Sequence, residues 1–161
     1  MSKIPQKYIS DSNFISMTLK AQNPVKKIYA SPKGHSSTCS SESPCLLSIA
    51  VENLKPGYIL YLKGGEYNVG KGITIKQNGS SDKYIVITSV NGETPIITSS
   101  SKNIEIPLFT IQSKVSYIII ENLTFKSVMI EKVQGIIFKE GGQNHIIIRN
   151  NEFSSLKATD T

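Results

Sequence analysis

The stretch Tyr117-Ile118-Ile119-Ile120-Glu121-Asn122-Leu123-Thr124-Phe125-Lys126-Ser127 returns near the end of the chain as His145-Ile146-Ile147-Ile148-Arg149-Asn150-Asn151-Glu152-Phe153-Ser154-Ser155. The two copies align without a gap at an offset of 28 residues, from Tyr117 to His145. An earlier, shorter copy is Tyr84-Ile85-Val86-Ile87-Thr88-Ser89, which lies 33 residues before the middle one. A β-branched strand that recurs at a period of about 20–50 residues marks a solenoid, in which each turn is one structural unit. Strands separated by turns at regular spacing also suit a sandwich, but a sandwich strand has no reason to reproduce its neighbour residue by residue. Stacked rungs do, because each position sits about 4.8 Å above its equivalent and shares one environment.

A rung of 28 residues has room for three short strands and three corners. The strands would be parallel, buried on their inner face and coiled right-handedly. Within the repeat, alternation points Ile118 and Ile120 inward and Tyr117, Ile119 and Glu121 outward. After a corner at Asn122, Leu123 and Phe125 point in. Asn122 and Asn150 then share one corner, and the expectation is an internal amide ladder that satisfies backbone groups there. Asn122-Leu123-Thr124 and Asn78-Gly79-Ser80 both match the N-glycosylation acceptor pattern. An inward Asn122 would be excluded sterically, which leaves Asn78 as the more credible acceptor.

The rest of the chain fits this architecture. Residues 1–26 carry isolated apolar positions without a clean period and read as an N-terminal extension that ends at the turn signal Asn23-Pro24. Residues 27–161 read as a cap and the first rungs of the solenoid. Lys27-Ile28-Tyr29-Ala30 is a short strand, followed by a loop dense in Ser, Pro and Gly. Over residues 45–54, Leu46, Leu47, Ala50, Val51 and Leu54 fall on one helical face. Ser43 is the expected N-cap, Pro44 the first helical residue, and Pro56-Gly57 the stop. Such a helix suits a lid over the first rung, whose apolar end and strand edges need covering. Strands follow at 58–62, 66–69, 73–75, 84–89, 95–98, 108–111, 117–127, 135–138 and 145–155, with Gly, Asn, Ser and Pro between them. Six residues follow Ser155, too few to close the last rung. The expectation is therefore a fragment of a longer solenoid, with an open end through which copies could associate.

Composition narrows the partners. The net charge is +6, from 18 basic and 12 acidic residues, which suits an acidic partner such as a polyuronate, an anionic surface or nucleic acid. The lysines are scattered, as on an ordinary solvated surface, and neither interleaved aromatics nor a known module supports nucleic-acid binding. No stretch reaches the length of a membrane span. Cys39 and Cys45 lie six positions apart with His35 as their only histidine neighbour. That is too few ligands for zinc, so the choice is between a disulfide, the better reading, and free thiols. A disulfide implies an oxidising compartment, although residues 1–20 show no apolar run of the secretory-signal kind.

The order Ile28-Tyr29-Ala30-Ser31-Pro32-Lys33-Gly34, a Ser/Cys loop, a helix, and then Lys55-Pro56-Gly57-Tyr58-Ile59-Leu60-Tyr61-Leu62-Lys63-Gly64-Gly65-Glu66-Tyr67 resembles a known family opening. With Gly72-Ile73-Thr74-Ile75, the segment 84–92 and the two long repeats, it is similar over residues 28–155 to the N-terminal part of right-handed parallel β-helix polysaccharide lyases. These are pectate lyases of the family 9 kind and chondroitinase B and alginate lyases of the family 6 kind. The resemblance implies a single-stranded β-helix with an N-terminal capping helix, acting on or binding acidic polysaccharide. The Cys39…Pro44-Cys45 pattern looks more like secreted β-helix proteins than bacterial lyases, which implies an extracellular setting. In the lyases Ca²⁺ held by carboxylates neutralises the uronate and a basic side chain removes the C5 proton, so the resemblance also implies Ca²⁺. It places those residues on later rungs, so this chain alone is expected to be inactive. Alternatively the chain is a non-catalytic scaffold or adhesion module.

Few residues here invite a chemical role. The ending Ala158-Thr159-Asp160-Thr161 resembles an Asp-Thr-Gly stretch of family 9 enzymes, which makes Asp160 a candidate calcium ligand, against the plain reading of a frayed terminus. One carboxylate is not a calcium site, which needs about six to eight oxygens. Lys139 and Arg149 are the candidate substrate-binding cations of a groove, against the plain reading of soluble surface. His145 takes the place of Tyr117 in the repeat, an outward stacking position, and His35 sits in a polar loop. Gly64-Gly65 and Gly141-Gly142 are corners rather than phosphate loops, since no Lys-Ser/Thr follows.

Overall fold

The computed structural model describes residues 23–100, 106–127 and 135–155. Twelve strands and one helix alternate along them: β1 (Lys26–Ala30), α1 (Leu47–Glu52), β2 (Tyr58–Leu62), β3 (Gly65–Asn68), β4 (Ile73–Ile75), β5 (Ile85–Ser89), β6 (Pro95–Thr98), β7 (Phe109–Ile111), β8 (Ser116–Glu121), β9 (Thr124–Ser127), β10 (Ile136–Phe138), β11 (Asn144–Arg149) and β12 (Glu152–Ser155). They form three sheets, ordered β1-β2-β5-β8-β11, β3-β6-β9-β12 and β4-β7-β10. The chain visits the first, second and third sheet in turn, and every strand pair is parallel. This is the single-stranded β-helix anticipated from the repeat, right-handed as connections between parallel strands are.

The isoleucine copies stack as their alignment requires. Ile118, Ile119 and Ile120 lie opposite Ile146, Ile147 and Ile148, and below them Ile85, Val86 and Ile87. Two further rungs that share little of the motif continue the column downward. Ile59 and Leu60 pair with Val86 and Ile87, and Lys27 and Ile28 pair with Ile59 and Leu60. The inward residues of the three sheets form one core that includes Leu60, Ile87, Ile120, Ile97, Phe125, Ile75 and Ile111. Ile119 faces outward and is still buried, in a smaller cluster with Tyr84 and Val86. Phe109 packs edge-on to Phe125 at 5.1 Å, and Phe153 stacks on Phe125 at 5.0 Å. Tyr67, buried, donates its phenol to the carbonyls of Ala30 (3.0 Å) and Lys63 (2.7 Å). Desolvation, helped by the nearby Glu93 carboxylate, pushes that phenol well above its usual range.

The cap is real but begins later than its sequence suggests. Helix α1 packs against β1, β2 and β4, with Leu47, Ala50 and Val51 buried. Its N-cap is Leu46, without a side-chain cap bond, so Ser43 and Pro44 do not start it. The reason lies in Cys45. Its amide donates to the Tyr29 carbonyl at 3.1 Å, and its own carbonyl accepts from Ser31 at 3.1 Å. Cys45 thus bridges Ala30 in parallel and is joined to Cys39 by a disulfide. A residue held in a ladder on both sides cannot be helical. Gly34 permits this approach, since a Cβ there would run into the Cys45 carbonyl. Of the extension expected over 1–26, residues up to 22 lie outside the described ones, and Lys26 already belongs to β1.

The corner at Asn122 is present, but its ladder differs from expectation. Asn122 and Asn150 stand at successive rungs with φ of 58° and 53°, in the left-handed region that Asn tolerates better than most residues. Both are exposed. The left-handed turn swings the side chain out of the alternation, so these amides do not line the interior. Asn122 donates to the Thr88 hydroxyl at 3.2 Å. The amide that ties two rungs is the next one, Asn151: it donates to the Ile120 carbonyl (2.9 Å) and accepts from the Leu123 amide (3.0 Å). The inference that Asn122 is sterically closed to modification is therefore overturned.

Candidate functional site

The third sheet ends each of its strands at one corner. Ile75, Ile111 and Phe138 are in register, so Lys76, Gln112 and Lys139 follow one another up that corner. The backbone bonds keep the same order: the Gln112 amide donates to the Ile75 carbonyl (3.0 Å) and the Lys139 amide to the Ile111 carbonyl (2.9 Å). Two rungs separate Lys76 from Lys139, which is roughly 10 Å at the usual strand spacing. Lys114 joins them from the following turn, where its amide donates to the Gly141 carbonyl at 3.2 Å and its side chain passes beside Gly142. Lys114 has φ of 61°, a left-handed conformation that turns the chain sharply toward β8.

The corner is stiffened from within. The Gln143 side-chain amide donates to the carbonyls of Ile111 (3.2 Å), Gln112 (3.1 Å) and Lys139 (2.8 Å). One side chain thereby satisfies acceptors of two rungs where the strands stop. Lys76, Lys114 and Lys139 are all exposed, with Glu140 the acidic residue beside them in sequence. The outward positions of this sheet, next to the lysines, are Thr74, Thr110 and Ile137, all uncharged. Among the described residues the ion pair is that of Arg149 Nε with Glu121 Oε2, at 2.7 Å. The three lysines are therefore without a carboxylate in ion-pair reach among the described residues. Such a strip can attract an extended polyanion laid along the solenoid axis.

Lys139 and Arg149 do not form one groove. Lys139 follows the third sheet, whereas Arg149 ends β11 on the first sheet. The six-residue strand between them is about 17 Å long, and Arg149 is held by Glu121. His145 stacks on Tyr117 at 4.6 Å and contacts the Asn144 amide oxygen at 2.7 Å, the outward stacking role expected of it. His35 is exposed in its loop. Asp160 lies outside the described residues. Among those residues no group of three or more His, Cys, Asp or Glu side chains converges. Two clefts flank α1; the larger, about 220 Å³, is bounded by Pro32, Leu47, Tyr67 and Ile73 and belongs to the packing of the cap.

Lys76 and Lys114 were not among the expected site residues. A signal for Lys76 exists, since it follows Ile73-Thr74-Ile75 as Lys139 follows Ile136-Ile137-Phe138. Comparison with known proteins agrees with the architecture. Residues 28–160 match the model of a family described as a Pel9A-like, right-handed β-helix region. A solved structure, the crystal structure of pectate lyase Pel9A, superposes with a TM-score of 0.56 at 17% identity, over 80% of this chain. At that identity the likeness is one of fold, and this chain spans 36% of that protein's length. No curated protein matches the sequence significantly.

Proposed function

Since the chain belongs to the Pel9A-like right-handed β-helix family, we propose that it binds acidic polysaccharide along the corner carrying Lys76, Lys114 and Lys139. In this reading any lyase chemistry resides on rungs beyond the described ones. The observation that carries it is the register of Lys76 with Lys139 on a solenoid of this family. Lys76 and Lys139 stand two rungs apart on one corner with Lys114 in the turn beside them, a column of positive charge that suits the carboxylates of an extended polyuronate. Arg149 contributes less, because Glu121 already neutralises it. The disulfide between Cys39 and Cys45 supports an extracellular setting, where such bonds persist and where such glycans are met.

A second reading, a non-catalytic scaffold or adhesive surface, is favoured by the absence of a converging acidic cluster among the described residues. Binding and turnover separate the two. Calorimetry with polygalacturonate and with alginate at low salt should give saturable binding that weakens as ionic strength rises. Lys76→Ala with Lys139→Ala should weaken it about tenfold, and neutral dextran should not bind. No uptake of either polyuronate at low salt would sink the proposal. Absorbance of the unsaturated product, followed with Ca²⁺ present, is expected to stay flat for the 161-residue chain. A rise would instead make this chain itself a lyase.

A further inference from the structure

Outward residues of the first sheet stack in register into a column of Lys27, Ile59, Val86, Ile119 and Ile147. The members on β5 and β8 are dry: Val86 is 5% exposed and Ile119 0%, in one cluster with Tyr84 at 3%. Outward residues at matching places on the other sheets, Ile96 and Thr124 on one and Thr74 and Thr110 on the other, all keep contact with water. Side chains stand roughly perpendicular to a sheet, so lateral neighbours leave the tip of an outward one open. A fully dry outward isoleucine therefore means that a further layer lies over this face. The cap is not that layer, since α1 packs on β1, β2 and β4.

We infer that residues 1–22 of this chain supply the layer, as a strap laid across the outer face of the first sheet. The topology singles them out. Segments 101–105 and 128–134 join the second sheet to the third, and 156–161 leaves β12 of the second sheet, so all three are tethered at the corner opposite the first sheet. Residues 1–22 lead instead into β1 of the first sheet itself. The point of entry is fixed. The Val25 amide donates to the Gly57 carbonyl (2.9 Å) and the Gly57 amide to the Lys83 carbonyl (3.2 Å). The chain thus arrives at the side of the sheet where Tyr84 stands, and a Cβ on Gly57, whose φ is 82°, would run into the Val25 side chain. Val86 and Ile119 lie two and three rungs above β1, roughly 10 and 14 Å away at the usual strand spacing. About five extended residues cover that distance, so Phe14, Ile15 and Leu19 are all within reach of the dry column. The apolar positions of the segment, Ile4, Ile9, Phe14, Ile15 and Leu19 among them, follow no clean period. That suits a stretch that docks on an existing apolar surface and builds no core of its own. The inference concerns the face of the first sheet and is independent of the polysaccharide reading, which concerns the lysine corner.

A spin label attached through Ser16→Cys in the full chain tests it, because Cys39 and Cys45 are paired with each other and leave the introduced thiol to take the label. In NMR spectra of the dilute chain, the amides of Val86 and Ile119 should lose most of their signal to the label. Those of Thr74 and Thr110, on the third sheet, should keep theirs. Adding Phe14→Asp and Ile15→Asp to the labelled chain should bring the signals of β5 and β8 back, since a charge does not dock on a dry apolar column. The labelled position is polar and belongs to no described element, so the first readout does not depend on a destabilised variant folding. Full signal at β5 and β8 in the labelled chain would overturn the inference. So would signal loss that survives both aspartates. Loss that appears only when labelled copies are mixed with unlabelled, isotope-enriched ones would assign the cover to a second copy and overturn it as well.

Discussion

The two ends of this solenoid carry the same inward pattern and meet opposite fates. At the capped end, Ile28 and Ala30 of β1 are buried beneath α1, whose Leu47, Ala50 and Val51 are buried as well. At the open end, Ile148 and Phe153 hold the register positions of Ile120 and Phe125, which are 0% and 2% exposed, and remain in water. The contrast comes from the neighbouring layer and not from the rungs themselves. A parallel rung supplies side chains that are apolar on one face, and its burial is completed only by the next layer. A six-residue helix does this at one end because a disulfide and a short ladder hold its leading loop against β1.

Mirrored substitutions give the largest contrast. Val51→Asp puts a charge under the cap and should cost more than about 4 kcal/mol, enough to unfold the chain. Ile148→Asp at the open end should cost under about 1 kcal/mol. Equal losses in denaturant melts of the two, in dilute solution, would mean that the ends are alike after all. The truncations Ile87→Ala and Ile148→Ala should divide in the same way, at roughly 2–5 kcal/mol for the buried site and well below that for the exposed one.

The disulfide acts at the capped end alone. Replacing Cys39 and Cys45 by Ser should cost roughly 2–3 kcal/mol for so short a loop. The loss should appear as faster hydrogen exchange in β1 and α1, with β11 unchanged. An equal effect on both ends would mean that the cap and the far rung unfold as one unit. The smallest expected effects lie at the corner amides. Asn151→Ala leaves the Leu123 amide without its acceptor and should cost about 1–2 kcal/mol. Asn122→Gly relaxes a left-handed residue and loses the contact with Thr88, so it should stay within about 0.5 kcal/mol of neutral. Reversal of that order in thermal melts would restore Asn122 as the amide that joins the rungs.

Much of the fold can be read from three isoleucine-led segments, because residues stacked in one environment converge on one sequence. The rungs at β1 and β2 are harder to see. Lys27 stands where the later rungs carry Ile59, Val86, Ile119 and Ile147, and at the first rung the corner after the strand becomes the cysteine loop. The helix start was hidden by a tertiary restraint: Pro44 and Ser43 satisfy every local rule for a helix opening, but the ladder at Cys45 overrides them. The facing of Asn122 was hidden by geometry, since counting in twos fails across a left-handed residue. The lysine strip is the least legible feature. Lys76 and Lys139 become neighbours on one corner only when loops of unequal length have brought β4, β7 and β10 into register.

Site-resolved hydrogen exchange on the dilute chain bears most directly on the stacking of rungs from a sealed end to an exposed one. Amides of β5 and β8 should exchange only through global unfolding, and those of β10, β11 and β12 should exchange by local opening at least about a hundredfold faster. Uniform protection across all of these strands, or protection greatest at β11, would contradict it.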